Sequence, residues 1–274
     1  MSRKTDQAWK DGRYCADDGT VVEIAREVDA CKVATRLIKP DEWPAIEREA
    51  RSLVDPAHPP LQVTVTGETT LAALRRLVVD ERRDAVAALN FASARTPGGG
   101  YRTGANAQEE TLARGSALVA SLERAPRYYE QNRASPSALY TDHAIWSPAV
   151  PFFADDAGVF LATPYRAGVV TMPAPNRGAI TAATELQAVP EALRRRIRCV
   201  LALAAQARIR HLVLGAWGCG VFRNPPETVA PLFREALSDL SWSRAFTSVV
   251  FAIYDPSPQR ATFAAFQRIL TPPA

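Results

Sequence analysis

The chain has no apolar run approaching the roughly 18 residues that a membrane-spanning helix needs, and its first ten residues, Met1 to Lys10, are polar with no signal-peptide core. A cytoplasmic protein is the default expectation. Cysteine is scarce: Cys15, Cys31, Cys199 and Cys219 form no CxxC pair. Reduced thiols are therefore expected rather than a disulfide framework. The three histidines, His58, His143 and His211, lie far apart, and no His/Cys cluster has zinc-ligand spacing. This disfavours a zinc site, and no metal or cofactor is expected. Lysine is nearly missing: of 33 basic residues only Lys4, Lys10, Lys32 and Lys39 are lysines. That excess of arginine, beside many alanines, resembles the codon bias of a GC-rich genome rather than a functional signal. One-signed charge is lacking too, the net charge being +4 with a pI of about 9.0. Scattered arginines suit an anionic ligand better than a duplex, so no sequence-specific nucleic-acid partner is expected.

What is there is a soluble globule of 274 residues, 47% hydrophobic and 23% charged. At roughly 150 residues per domain this is one large domain or two modest ones. No repeat or low-complexity tract interrupts it. Residues 1 to about 55 read as short helices, for example Val21–Val28 and Asp41–Val54. Asp55-Pro56-Ala57-His58-Pro59-Pro60 is a breaker cluster and a candidate joint. Beyond it, strands and helices alternate. Leu61–Val65, Asp84–Phe91, Gly168–Met172, His211–Leu214 and Ser248–Tyr254 read as strands, and Ala144–Phe153, around Pro148 and Pro151, as edge-like strand. Thr70–Asp80, Glu109–Leu122, Pro190–Ala207, Thr228–Leu240 and Pro258–Leu270 read as helices. Such alternation predicts an α/β fold, a mostly parallel sheet covered on both faces, with ligands at the carboxyl ends of the strands.

Two glycine-rich loops each follow an apolar strand: Pro97-Gly98-Gly99-Gly100-Tyr101-Arg102-Thr103-Gly104 and Gly215-Ala216-Trp217-Gly218-Cys219-Gly220-Val221-Phe222. Either alone is a tight turn or a phosphate cradle; two at one sheet edge favour a shared anion site. Neither is a P-loop, because no Gly-Lys-Ser/Thr follows, and neither fits GxGxxG, because Thr103 stands where the third glycine belongs. A nucleoside triphosphatase and a Rossmann dehydrogenase are disfavoured.

Directly after the first loop comes Gln108-Glu109-Glu110. Acidic residues in a first helical turn commonly offset the helix dipole. Beside a phosphate loop, however, a carboxylate repels the ligand unless it has work to do. Adjacent helical residues point about 100° apart. The pair therefore cannot flank one glycosidic bond from opposite sides, and at most one is the proton donor. The other would position substrate, for instance by accepting from ribose hydroxyls.

The run GGG, seven residues, QEE (Gly98 to Glu110) resembles the signature of the poly(ADP-ribose) glycohydrolases. Leu89-Asn90-Phe91-Ala92-Ser93, the second glycine loop, Tyr140-Thr141-Asp142, Ser147-Pro148 and Pro173-Ala174-Pro175-Asn176 resemble the bacterial type. The resemblance implies a macrodomain-like three-layer α/β/α core with a mixed, mostly parallel sheet over residues 61–274, and an N-terminal helical extension over 1–60. It implies an enzyme that hydrolyses the ribose–ribose bond of ADP-ribose polymers and releases ADP-ribose. By motif position Glu110 would protonate the leaving ribose oxygen, while Glu109 and Gln108 hold the neighbouring sugars. Gly98, Gly99 and Gly100, with Gly215, Gly218, Cys219, Gly220 and Val221, would bind the diphosphate. Phe222 would pack on the terminal ribose and order the attacking water's site. Glu68 would contact adenine, or be only an N-terminal cap; Asn90 would sit near the distal ribose, or be a buried amide at a strand end. Trp217 and Tyr101 could stack on a base or sugar, packing being the commoner role of such aromatics; Cys219 reads as small filler and Arg194-Arg195-Arg196 as a solvated helix face. Chemistry asks of Glu110 that it stay protonated near neutral pH, with Glu109 and the diphosphate as neighbours able to raise its pKa. The alternatives are an enzyme removing single ADP-ribose units from protein side chains and a non-catalytic ADP-ribose-binding module. The intact QEE disfavours the module. A monomer is expected, with polymer or ADP-ribosylated protein as its substrate and no membrane partner.

Overall fold

The computed structural model describes residues 2–55 and 57–271. Met1, in the polar N-terminal stretch, and Pro56, in the breaker cluster, lie outside the described residues. In chain order the strands are β1 (Arg13–Cys15), β2 (Val21–Glu23), β3 (Arg36–Ile38), β4 (Gln62–Thr66), β5 (Val86–Phe91), β6 (Ala144–Ala154), β7 (Phe160–Met172), β8 (His211–Leu214) and β9 (Ser248–Ala252). The helices are α1 (Ser2–Asp11), α2 (Ala25–Ala34), α3 (Trp43–Ser52), α4 (Thr70–Arg75), α5 (Gln108–Gly115), α6 (Leu118–Leu122), α7 (Pro126–Ala134), α8 (Ala183–Gln206), α9 (Pro226–Ser238), α10 (Leu240–Ser243) and α11 (Ala261–Leu270). β1 and β2 form a separate hairpin, and the other strands form one sheet in the order β3-β6-β7-β5-β8-β9-β4. From β7 through β4 every pairing is parallel; β6 runs antiparallel to both β3 and β7.

Successive strand residues point to opposite faces, and the central strands serve two cores. Ala87, Leu89, Leu212, Leu214, Val249 and Phe251 meet α3, α8, α9 and α11 on one face. Val86, Ala88, Val213, Val250 and Ala252 meet Leu71 and Leu74 of α4, Leu112 of α5, Leu118 of α6 and Tyr128 of α7 on the other. The result is three layers, mixed and mostly parallel. Among the described residues no helix is long and apolar enough to cross a membrane.

Four local readings need correction. Val21–Val28 is not one helix: Val21–Glu23 pairs as β2 before α2 begins, because Val22 buries in a small core beside Tyr14 and Phe153. Residues 2–55, expected to be helical, thus also supply the hairpin and β3, which joins the main sheet. Glu109–Leu122 breaks in two at Ser116, which is extended, bridges Phe152 of β6 and caps α6 through its hydroxyl. The stretch expected to be an edge is interior over Ala144–Trp146, where β3 covers it. Pro148 and Pro151 lie beyond that cover, where β6 pairs with β7 across a register shift between Ser147 and Val150 and also meets Ser116 and Ala117 through Phe152 and the Pro151 carbonyl. Their missing N–H groups therefore break no bond to β3. Finally α8 starts at Ala183, so Pro190 lies within it.

Candidate active site

At the carboxyl ends of the parallel strands opens a cleft of about 1490 Å³. β5 delivers Phe91 to its floor, with Asn90 just behind, the chain turns through the triple glycine, and α5 brings Gln108-Glu109-Glu110 to the lining. The loop after β8 forms the facing wall, including Gly218, Cys219, Gly220, Val221 and Phe222.

Gln108 binds the sheet. Its Oε1 accepts from the Phe91 N–H at 2.8 Å, and its Nε2 donates to the Leu89 carbonyl at 2.8 Å and the Thr70 hydroxyl at 3.2 Å. It fixes the start of α5 to the end of β5, which the residue type alone does not reveal. Glu109 is 3% exposed; its Oε2 accepts from the Ser93 N–H at 2.6 Å and its Oε1 from Asn90 Nδ2 at 3.2 Å. Burial pushes its carboxyl up to about 8, and the nearby Glu110 charge adds to this against the Ser93 and Asn90 hydrogen bonds. Glu110, on the cleft side, accepts from the Gly100 N–H at 2.9 Å through Oε1 and from the Ala107 N–H at 3.1 Å through Oε2.

The glycines explain themselves by contact. Gly98 and Gly99 have φ of +71° and +58°, the left-handed region that glycine enters freely. A Cβ at Gly99 would overlap Glu110 Oε1 and stand 3.0 Å from Glu109 Oε2. A Cβ at Gly215 would meet the Ala252 carbonyl at 2.6 Å, and one at Gly218 the Asn224 amide at 2.5 Å. Gly220 faces open space. Phe222 lines the cleft half-buried, its ring 6.1 Å from that of Tyr140.

Gly99, Gly100, Gln108, Glu109, Glu110 and the 218–222 wall thus meet in one cleft. Gly98, Gly215 and Asn90 stand just behind its lining; the Asn90 amide is fully buried, with its Oδ1 unpartnered. Glu68 stands apart. Its carboxylate is held by Arg76 Nη2 at 2.6 Å and by the Thr66 hydroxyl at 2.9 Å, in a smaller cavity outside the cleft. Trp217 and Tyr101 are both buried; Trp217 forms part of the cleft lining, and the Tyr101 hydroxyl donates to Asp6. Burial pushes the Cys219 thiol up to about 12, the wrong direction for a nucleophile.

Two residues escaped the sequence reading. Asn224, 1% exposed, donates to the Pro175 carbonyl at 2.9 Å and the Gly218 carbonyl at 3.1 Å, clasping two cleft loops together. Its signal was only an Asn between the glycine loop and Pro225-Pro226. Arg196, expected on a solvated face, is fully buried. It donates to the carbonyls of Pro173, Leu139 and Tyr140 at 3.0, 2.7 and 3.0 Å and pairs with Asp142 at 2.7 Å. Three consecutive arginines span about 200° of a helix, so one can turn inward, but spacing does not say whether or which.

The site is thus a cleft at the strand ends of a three-layer α/β fold, bounded by two glycine loops and a buried carboxylate pair. Residues 2–155 match the family model of the microbial-type PARG catalytic domain. The poly(ADP-ribose) glycohydrolase of Thermomonospora curvata is similar at 44% identity and a TM-score of 0.92, with 97% of each chain covered. Its complex with the inhibitor ADP-HPD is similar at 44% identity and a TM-score of 0.90, again over 97% of each chain. The poly(ADP-ribose) glycohydrolase of Deinococcus radiodurans in complex with ADP-ribose is 48% identical with a TM-score of 0.82, over 89% of this chain and 97% of that one. Comparison with curated protein sequences gives no match. The chain belongs to the microbial-type poly(ADP-ribose) glycohydrolase family. It is a glycosidase acting on poly(ADP-ribose).

Proposed function

We propose that Glu110 is the general acid of this hydrolysis and that terminal ADP-ribose is the unit held in the cleft. The observation that carries this is the placement of the carboxylate pair: Glu110 lies on the cleft side, 2.9 Å from the loop N–H of Gly100, while Glu109 is tied into the floor by Ser93 and Asn90. Glu110 gives its proton to the leaving ribose oxygen as the bond to the anomeric carbon breaks. Water then adds to that carbon, and its proton returns to the carboxylate pair. Burial raises the Glu109 carboxyl to about 8, so Glu109 itself is neutral near pH 7 and can position a sugar as donor or acceptor.

Glu109, with Asn90 beside it, orients the sugar next to the scissile bond. The backbone N–H groups of the loop after β8 receive the diphosphate, whose charge also steadies the oxocarbenium-like transition state. In the first loop the Gly100 N–H is taken by Glu110 and the Gly99 N–H by the Thr96 carbonyl, so the triple glycine shapes the cleft rather than donating to phosphate. Phe222 closes on the terminal ribose and limits where water enters. Gln108 acts at one remove, by holding α5 to β5. Glu68, paired with Arg76, is assigned no ligand contact.

The reading extends to a cytoplasmic monomer. All four cysteines are free thiols, which suits a reducing compartment, and one chain lines the whole cleft. Polymer and singly ADP-ribosylated protein, incubated separately with the enzyme, test the substrate. Release of ADP-ribose from polymer, with the protein-linked unit left in place, is expected. Efficient removal of that single unit would favour the mono-ADP-ribosyl alternative.

A further inference from the structure

Helix α1 lies across the two segments that carry the carboxylate pair. Thr5 is fully buried, and its hydroxyl donates at 2.9 Å to the carbonyl of Arg114, in the last turn of α5. One residue on, Asp6 accepts the Tyr101 hydroxyl proton at Oδ1. It also accepts a fork from Arg102, Nε to Oδ2 at 2.8 Å and Nη2 to Oδ1 at 3.3 Å. The Arg102 guanidinium lies over the Tyr101 ring, 5.0 Å from its centroid, and reaches Glu123 at 3.2 Å. Tyr101 directly follows the triple glycine. It is 2% exposed, and its ring closes on Gly98, where a Cβ would stand 3.0 Å from it. The N–H that holds Glu110 belongs to Gly100, the residue just before it.

We propose that α1 is a two-point clamp on the catalytic loop and helix, with Asp6 and Thr5 as positioning residues for Glu110. The proposal rests on Glu110 and the triple glycine being the machinery. Two observations distinguish a clamp from an ordinary docked helix. First, the apolar packing of α1 is limited to Ala8 and a half-buried Trp9 in the small core beside Tyr14 and Phe153, away from the catalytic loop, while its fully buried Thr5 is polar. Second, its inward polar contacts converge on the loop after Gly100 and the end of α5. These contacts are of the stronger kind. Asp6 is 16% exposed at its side chain, and a phenol or guanidinium donating to a carboxylate is charge-assisted. Burial works against the Asp6 charge, yet the hydrogen bonds from Arg102 and Tyr101 hold its carboxyl below the usual range. Release of the clamp frees the turn Tyr101–Thr103, and with it the register between the Gly100 N–H and Glu110. A shift of a fraction of an ångström at a catalytic group lowers the rate of the chemical step more than it lowers binding.

The test compares full-length Asp6→Ala, Asp6→Asn, Tyr101→Phe and Asp6→Ala/Tyr101→Phe with the parent. Polymer hydrolysis supplies kcat and KM, ADP-ribose titration supplies Kd, and melting reports the fold. Expected is a fall in kcat of about tenfold for Asp6→Ala, with KM and the ADP-ribose Kd within about twofold. The double variant should be no slower than the worse single one, because both remove one interaction. A stabilising role alone would lower Tm and leave kcat at the parent value in the folded variant; that result overturns the clamp. Should Asp6→Ala not fold, Asp6→Asn and Tyr101→Phe, which remove less, decide by the same criterion. Glu110→Gln is assayed alongside. If it is inactive while the clamp variants turn over normally, the clamp alone fails. If it is active, the assignment of the machinery fails.

Discussion

Glu109 and Glu110 are neighbours in the chain, yet their carboxylates close on a single point, the side of Gly99 where a Cβ would stand. The left-handed backbone of Gly99, φ +58°, turns the loop so that this contact exists. Gly99→Ala adds strain of about 1–2 kcal/mol and drives a methyl into Glu110. Polymer turnover should fall by about a hundredfold. Gly19→Ala is the control: its φ is +88° and no atom lies near the added Cβ. It should lose stability with no change in turnover. Equal turnover in the two variants would show that the Gly99 contact has no part in catalysis.

Glu109 gives stability a pH dependence of definite sign. Its carboxyl sits at about 8 in the folded chain against 4.5 unfolded. Between those values the native state holds the extra proton, so stability falls as pH rises through this window and levels off above it. The slope reaches at most about 1.4 kcal/mol per pH unit. Denaturant unfolding of the parent and of Glu109→Gln from pH 5 to 8 checks it: the variant should show the flatter profile.

Arg196→Met should destabilise the protein by about 3 kcal/mol, seen as a lower denaturation midpoint. The substitution strands the carbonyls of Pro173, Leu139 and Tyr140, while Arg195 still pairs with Asp142. Because Tyr140 and Ala174 line the cleft, KM for polymer should rise as well. A neutral effect on stability would mean that water replaces the guanidinium.

Elements with their own periodicity were legible from the chain alone. His211–Leu214 is strand β8 residue for residue, and the core-facing helices follow their apolar spacing. Boundaries set by tertiary contact were not. Val21–Glu23 becomes a strand because Arg13–Cys15 lies opposite, and α5 ends where Ser116 meets Phe152. The same holds at the site. Glycine loops and a carboxylate pair announce themselves by type and spacing. Whether Gln108 faces a sugar or the Leu89 carbonyl, and whether Glu68 faces adenine or Arg76, depends on where a side chain turns after the fold closes. Asn224 and Arg196 act on backbone carbonyls, which every residue carries, so no sequence pattern marks their partners.

Phe222→Ala should lower polymer turnover while ADP-ribose still raises the melting temperature. The ring lies at the cleft wall against Tyr140, half-buried, so its loss loosens the terminal ribose without opening the core. Ligand binding to the native cleft alone raises Tm by mass action. Unchanged turnover in a folded variant would leave Phe222 a packing residue.

The assignment of the proton donor is tested most directly by Glu110→Gln, assayed for polymer hydrolysis and for ADP-ribose binding, with Glu109→Gln beside it. The amide is nearly isosteric but delivers no proton, so hydrolysis should fall by about 10²–10⁴-fold while ADP-ribose binds at least as tightly. Glu109→Gln, still able to accept a hydrogen bond from a ribose hydroxyl, should keep more activity. Near-normal hydrolysis by a folded Glu110→Gln, with the loss appearing in Glu109→Gln, would contradict the assignment and move the acid to Glu109.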